Sequence, residues 1–434
     1  MSTTTDVFSH IKTAPFWQDD FPHLANVPTS PLPDKVDVVI IGGGYTGLLA
    51  ARTLAKGGAK VVVLEQGHIG SGASSINGGQ VSPGLKADAE TIYNRYGPEL
   101  AGELWWAALD AVKFFEQTII EEQIDCDYTG KGGLALAYRP THYRRMLEYT
   151  EWLANKLNYE QKIIPPEKLC EEIGSDIFYG GKFEREGGGI QPAKYVYGLA
   201  CATVRAGALL CPKTTVQQVR RQVGHSGFYI ITDQGNVRAS EVLMATNGYT
   251  GSLVRGIQRR VFAVGSYMIT TEPLSPELQR ELSPNDRVFY DTKHFLNYFR
   301  LTPDGRMSMG GRNNLSPDLD WLESARFLQQ RTIEIFPQLR DIPITHTWSG
   351  RLGITFDLIP HIGQVDGIYY AFGYGGHGVA LSGYLGKEVA ELMSGKISRS
   401  PFAEIPHQTY IFYQKKPWFL PIAATYYRFL DKVS

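Results

Sequence analysis

Three glycines, Gly42, Gly44 and Gly47, join an apolar run (VDVVII, residues 36–41) to a stretch rich in leucine and alanine. An acid, Glu65, ends the next apolar run 18 residues after Gly47. This is the spacing of a dinucleotide-binding turn. Gly42 allows the tight turn, Gly44 lets a pyrophosphate approach the backbone, and Gly47 lets helix and strand pack closely. The helix start at Tyr45 and Thr46 offers free N–H groups and a positive dipole end to phosphate. Glu65, with Gln66 beside it, can accept both hydroxyls of an adenosine ribose. It would repel a 2′-phosphate by about 4 kcal/mol per charge pair at an effective dielectric of 20, which disfavours NADP.

A second loop of small residues, GSGASSINGGQVSPG (residues 70–84), follows at once. An NAD site does not need it, whereas FAD stretches further. Ser71, Gly72, Ala73, Ser74 and Ser75 offer hydroxyls and bare backbone to the phosphates and ribityl chain, and Asn77, Gly78, Gly79 and Gln80 would lie beside the isoalloxazine. The other reading is a flexible surface loop. Two later pieces agree with FAD. The strand VLMATNGY (residues 242–249) ends in small polar residues, as a chain passing close to a ligand does. FGYGGHGVALSG (residues 372–383) sets a glycine turn at a helix start. There the backbone of Gly375, Gly376, His377, Gly378 and Val379 could face the N1/C2 carbonyl end of the flavin and stabilise the charge that reduction creates. A histidine in such a turn is more often structural than catalytic, and His377 is a candidate for both.

The elements that must hold these groups follow from periodicity. Residues 36–41 and AKVVVLE, ending at Glu65, are buried strands of the parallel kind, and LLAARTLAKGG between them is a helix with a glycine stop. Residues 87–123 are largely helical, 131–138 form a strand, and 141–157 and 192–206 are helices. VQQVRRQ, GFYIITDQG and VRASEVLMATNGY read as three antiparallel strands. Strands then surround a helix near 321–336. The expected fold is α/β: a discontinuous Rossmann-like FAD-binding domain (34–90, 190–256 and 345–434) with an α+β substrate domain containing a mixed sheet (91–189 and 257–344). Residues 1–33 read as a polar arm.

Composition sets the outer limits. The chain has 434 residues, 43% hydrophobic and 20% charged, which excludes disorder for most of it. A net charge of −1 lacks the basic footprint of a nucleic-acid binder. Four cysteines without a CxxC fit a reducing cytosol, and ten histidines without ligand spacing give no metal site. The N-terminus lacks the apolar core of a signal peptide, and no run of 18 apolar residues occurs. The tail WFLPIAATYYRFL (residues 418–430), after Lys415 and Lys416, would either dock on the protein's own surface or rest on a membrane. The first reading is preferred, so a cytoplasmic enzyme without a membrane partner is expected. Oligomeric state is not legible.

Taken together, VIIGGGYTGLLAA, GSGASSINGGQVSPG, CDYTGKGGLALAY, QPAKYVYGLACA, ATNGYTGSL, SYMITTEPL, DTKHFLNYFRLTPDGRMSMGGR, WSGRLGITFDLIPHIG and GYGGHGVALSG resemble the D-amino-acid-oxidase superfamily of flavoproteins, most of all its γ-glutamylputrescine oxidase-like amine oxidases. The resemblance implies oxidation of a C–N bond by hydride transfer to flavin N5, hydrolysis of the imine, and re-oxidation by O2 to hydrogen peroxide. It also implies that Val216 holds the adenine through its backbone and that Thr246 and Asn247 line the cofactor. Relatives often read ASGRNGG where this chain has Ala73–Gly79 as ASSINGG. Members that tether flavin do so through a cysteine where this chain has Gly350, and they carry a lysine where it has Ala380. Non-covalent FAD is therefore expected. Arg259 and Arg260 sit where related oxidases place a cation that helps O2 accept an electron.

Tyr374, before the glycine turn, is expected to face the substrate. In HFLNYFRL, alternation puts Leu296, Tyr298 and Arg300 on one face. Either Tyr298 and Arg300 reach a substrate carboxylate, which Arg would bind in bidentate fashion, or the strand is superficial and Arg300 is solvated. Trp348 and Arg351 fit a site or a packing role. An amine or amino acid is the expected substrate and O2 the expected acceptor. Two rivals stay open: a dehydrogenase of the same fold passing electrons to a quinone or carrier protein, and a flavin-bearing assembly factor without turnover.

Overall fold

Continuous β-branched runs need cover on both faces, and the strands at the centre of the first sheet have it. A computed structural model describes residues 7–433 except 9, 223, 225, 313, 411–412 and 414–416. Strands His361–Val365, Ile368–Phe372, Gly235–Met244, Lys35–Ile41, Val61–Leu64 and Leu209–Cys211 lie side by side in that order. Those from Ile368–Phe372 to Leu209–Cys211 run parallel. Val216–Arg221 and Phe228–Thr232 continue antiparallel from Gly235–Met244. The helix Tyr45–Lys56 crosses over between the first two strands of the chain and packs against Gly378–Met393. That packing is close: a Cβ at Gly386 would stand 2.5 Å from the Thr46 carbonyl.

A second sheet runs Ile344–Ile354, Phe262–Pro273, Arg306–Gly311, Tyr298–Leu301, Val288–Asp291, Gly133–Leu136, Gly181–Glu184, Lys162–Ile164. It is antiparallel except where Val288–Asp291 meets Gly133–Leu136, and so it is mixed. The helix Trp321–Ile335 covers one face with Leu328 and Ile335. Two expected boundaries move. Residues from 345 onward were expected with the FAD-binding pieces, yet Ile344–Ile354 pairs along Phe262–Pro273 in the second sheet. The helix Pro98–Glu121 was expected with the substrate pieces, yet Leu104, Val112 and Phe115 are buried in the core with Leu48, Tyr195 and Leu385. Another part of its apolar surface, Trp105 and Leu109, packs on Leu153 and Leu157 of the helix Pro140–Leu157, so it bridges the two sets of pieces.

The N-terminal stretch is not a loose polar arm. Phe16 and Trp17 are buried, and the Trp17 indole packs edge-on to Trp348 with ring centroids 6.4 Å apart. Its Nε1–H donates to the Asn77 carbonyl at 2.8 Å. Gln191 Nε2 donates to the Trp17 carbonyl at 2.9 Å and so holds the same segment from below. The C-terminal helix Leu420–Val433 docks on the protein: Asp431 accepts the N–H groups of His294 and Phe295 at 2.8 and 3.0 Å, and Tyr427 stacks on His294. Ile422, Tyr426 and Phe429 remain exposed, while Lys415 and Lys416 lie outside the described residues. Among the described residues no helix is long and apolar enough to cross a membrane.

Trp17→Ala should remove a fully buried side chain and one hydrogen bond, costing about 3–5 kcal/mol. Trp17→Phe keeps most of the volume and should cost about 1 kcal/mol for the bond alone. Denaturant unfolding of the two variants tests this, and equal midpoints for both and for the unaltered protein would show that the segment is only laid on the surface.

Candidate active site

The first turn of Tyr45–Lys56 forms the floor of a cavity of about 930 Å3, at the upper end of the range for small-molecule sites. Its three glycines act differently. Gly42 has φ +112°, and a Cβ there would stand 2.7 Å from the Ala245 carbonyl. Gly44 faces the cavity. Gly47 lies behind it, where a Cβ would collide with the Gly42 carbonyl. Tyr45, Thr46, Glu65 and Gln66 complete this end. The Glu65 carboxylate is aimed by two backbone bonds, accepting from Gly43 N–H at 2.8 Å and Gly67 N–H at 2.9 Å, and each oxygen keeps a further lone pair for a ligand hydroxyl.

Ser71, Gly72, Ala73, Ser74 and Asn77 form one flank, and Val216, Thr246 and Asn247 lie on the other. Ser74 Oγ accepts the Tyr45 N–H at 3.1 Å and so ties this loop to the helix start. Asn247 Oδ1 accepts the Gly373 N–H at 3.0 Å and joins its flank to the far end, which is formed by Tyr374, Gly375, Gly376, Gly378 and Val379. An aimed carboxylate, a glycine cradle at a helix N-terminus and a long second wall of small residues fit FAD.

A second cavity of about 380 Å3 adjoins the first, and Ala73, Asn77, Leu352, Gly375, Gly376 and Val379 line both. Gly78, Gln80, Tyr298, Gly350 and His377 line the second alone. Tyr298 is held by a 2.9 Å hydrogen bond between its hydroxyl and Ser266 Oγ. Gln80 Nε2 donates to the Phe289 and Phe299 carbonyls.

The segment between the two cavities is fixed one carbonyl at a time. Trp348 Nε1 donates to Ile76 O at 2.7 Å, Trp17 Nε1 to Asn77 O at 2.8 Å, Arg300 Nε to Gly78 O at 3.1 Å, and the Ile190 N–H to Gly79 O at 2.8 Å. Peptide planarity turns the N–H groups of Asn77 and Gly78 to the opposite side.

Several expectations need correction. Arg300 shares a strand face with Tyr298 but does not reach the second cavity. The Gly78–Gly79 backbone lies over it, its guanidinium also binds the carbonyls of Leu301 and Ile190, and its charge lies 4.9 Å from the Trp17 ring. Burial pulls its pKa down to about 10. It is neither a substrate ligand nor a solvated surface residue. Tyr374 lines the first cavity and not the second, and its hydroxyl is engaged with Thr46 Oγ1 at 2.8 Å and the Ala371 carbonyl at 3.1 Å. Arg260 lines neither cavity; its Nη1 donates to the His407 carbonyl at 2.8 Å, and Arg259 is exposed. Ser75 is fully buried and bonded to the Gly70 carbonyl and Gln18, so it offers nothing to a ligand. Gly79, like Gly47, supports a wall without lining it; a Cβ there would collide with Arg300 and the Ile190 carbonyl.

His377 sits at the start of Gly378–Met393 with its Nδ1 buried and unpartnered. Burial, then the charges of Lys86 and Lys182, pull its pKa down to about 4, so it is neutral at physiological pH. Sequence reasoning missed Lys86 and Arg312, which also line the second cavity. Arg312 had a readable signal: Gly310 pairs with Tyr298 across the ladder, and two residues on lies the same face.

The chain matches the family model described as FAD dependent oxidoreductase over residues 37–392. It is 33% identical over 407 residues to the gamma-glutamylputrescine oxidoreductase of Escherichia coli, covering 92% of this chain and 93% of that one. It is 31% identical over 420 residues to the probable oxidoreductase OrdL of Haemophilus influenzae, covering 95% and 94%. In fold it is similar to the crystal structure of glycine oxidase from Geobacillus kaustophilus, with a TM-score of 0.74, 22% identity, and 87% of this chain against all of that one.

Arg300→Met should lower stability and flavin retention together, because it strips donors from three buried carbonyls at about 1–3 kcal/mol each. Loss of substrate affinity in a variant that keeps its flavin and its unfolding midpoint would return Arg300 to the substrate. Glu65→Ala should weaken FAD retention by at least about tenfold through lost charge-assisted bonds, with an unchanged circular dichroism spectrum. Unchanged flavin occupancy would mean that the ribose lies elsewhere.

Proposed function

The chain belongs to the family of FAD-dependent oxidoreductases, and from that premise we propose that it oxidises a C–N bond of an amine or amino acid and passes the electrons to O2, forming hydrogen peroxide. The observation that carries this reading is the wall common to both cavities. Gly42 and Gly44 would hold the phosphates of a cofactor in the first cavity, and Ala73, Asn77, Gly375 and Gly376, which line both cavities, would lie beside its reactive end. The names of relatives agree in kind, since they act on an amine conjugate and on glycine.

Bound FAD supplies the two-electron acceptor. The protein's own groups place the substrate and exclude water. Tyr298, Met268, Leu296 and Tyr290 give the second cavity its apolar walls. Burial raises the phenol pKa values of Tyr298 and Tyr290, so both remain protonated donors. His377 is neutral and adds no charge beside the shared wall. A substrate amine that arrives unprotonated needs no side chain to remove a proton before its C–H bond breaks. The glycine turn and the start of the helix Gly378–Met393 present backbone N–H groups to negative charge at the far end of the first cavity. Neither cavity is lined by a cysteine, which supports non-covalent FAD.

An anaerobic screen of polyamines, γ-glutamyl amines, cyclic imino acids and N-methyl amino acids, followed by flavin bleaching, tests the activity. At least one should bleach it, and readmitted air should return one peroxide per amine consumed. Bleaching without peroxide would favour a quinone or protein acceptor, and no bleaching by any amine would favour a non-catalytic flavoprotein. Acid or heat should release the flavin into solution; flavin remaining on the denatured chain would overturn the non-covalent reading. The bleaching rate should rise with pH as the substrate ammonium deprotonates, with no inflection near the ordinary histidine value of about 6.5.

A further inference from the structure

The C-terminal helix Leu420–Val433 turns opposite faces to the protein and to solvent. Its inner face is anchored at both ends. Leu420 is buried beside Phe262 and Ile354, and Asp431 accepts the N–H groups of His294 and Phe295. Arg139 Nη2 adds a bond to the Asp431 carbonyl at 2.6 Å. At about 100° per residue, Ile422, Tyr426 and Phe429 fall on the opposite face. They are 66%, 59% and 59% exposed, and Trp418, just before the helix, is exposed as well. Four of the eleven large apolar side chains exposed among the described residues therefore lie between 418 and 429. Scattered singly such side chains need no explanation; gathered on one face they mark a contact surface.

The charge around this face is positive. Arg428 and Lys432 are exposed on one flank of it, and Lys415 and Lys416 precede it in the chain. The one acid of the helix, Asp431, is turned inward and spent on backbone N–H groups. Nearby, the helix Pro140–Leu157 begins with the exposed Arg144 and Arg145, and its acids Glu148 and Glu151 come later. Burial, then the charges of Arg139 and Arg145, lower the His142 pKa while Asp431 opposes them, which puts these groups in one region. A second copy of the chain seated face to face would bring these cations against each other. An anionic lipid surface matches both the apolar face and the charge. Tyrosine and tryptophan are also the side chains that settle at the headgroup level of a bilayer.

We propose that the outward face of Leu420–Val433 docks the protein on an anionic lipid bilayer, with Ile422, Tyr426 and Phe429 entering the interface and Arg428 and Lys432 meeting the headgroups. The inner face stays on the protein, so the contact is peripheral, reversible and weakened by salt. It lies close to the site: Asp431 holds the backbone of residues 294 and 295, and Thr292, Lys293 and Leu296 line the second cavity. The inference does not depend on which reaction the protein catalyses.

The full-length flavoprotein is mixed with vesicles of phosphatidylcholine alone or of equal parts phosphatidylcholine and phosphatidylglycerol, and bound protein is measured by flotation. It should bind the anionic vesicles at least about tenfold more tightly, and added salt should weaken that binding. Ile422→Ser, Tyr426→Ser and Phe429→Ser combined should lower binding to anionic vesicles at least about tenfold. Flavin content and unfolding midpoint should stay unchanged, because these side chains face away from the protein. Arg428→Gln with Lys432→Gln should remove most of the preference for anionic lipid. Where the triple variant does not fold, brominated phospholipid in the anionic vesicles should still quench the tryptophan fluorescence of the unaltered protein, and Trp418→Phe should lose that quenching. No binding to anionic vesicles, equal binding to both kinds, or binding that survives the triple substitution overturns the proposal. A concentration-dependent dimer that the triple substitution dissolves, without vesicle binding, gives the face to a second copy and also overturns it.

Discussion

Four consecutive carbonyls, from Ile76 to Gly79, are each held by a different donor, and the arrangement of both cavities depends on that. The donors are two indoles, a guanidinium and a backbone amide. They come from the N-terminal segment, the strand Ile344–Ile354, the strand Tyr298–Leu301 and the turn before Pro192–Arg205. A buried carbonyl without a donor costs about 1–3 kcal/mol, so the segment is fixed only when all four parts have assembled. Its rigidity is a product of the whole fold, and it lets a glycine-rich loop serve as a wall between two cavities.

This constraint explains why Arg300 and Trp17 are so deeply buried. A guanidinium away from water is costly unless its N–H groups are matched, and here they meet carbonyl oxygens and the face of an indole. The N-terminal segment is in turn held by Trp17 and by Gln191. Groups that look like candidates for chemistry are thus spent on shape. Among the described residues, Lys86 and Arg312 line the second cavity without an ion pair or a hydrogen bond, and the Nε of Arg312 is buried.

Electrostatics divides the site in the same way. At one end, an aimed carboxylate at Glu65 and a helix N-terminus are matched to the ribose and phosphates of FAD. At the other, the cations of the second cavity face a neutral imidazole and protonated phenols. The two ends differ in charge, and small residues, Ala73, Gly375 and Gly376, line the wall they share.

The parts legible in the sequence were those governed by local rules. The strand–glycine turn–helix unit, the acid after it, the second small-residue loop and the glycine turn before Gly378 all depend on backbone geometry within a few residues, and that geometry restricts residue type strongly. They suffice for the α/β fold with a mixed second sheet and for FAD. Strand alternation puts Leu296, Tyr298 and Arg300 on one face, but it cannot show whether that face meets a cavity or the surface, nor that the Gly78–Gly79 backbone covers Arg300. Tyr374 is expected at the substrate from its place before the glycine turn, and Arg260 near O2 from the resemblance alone; neither ground shows which distant hydroxyl or carbonyl the side chain meets. Whether Trp17 is tail or core, whether Arg300 binds substrate or scaffold, and which cations lack a partner are questions of long-range contact. Only the tertiary structure decides them, because burial and pairing belong to the assembled fold and not to any window of the chain.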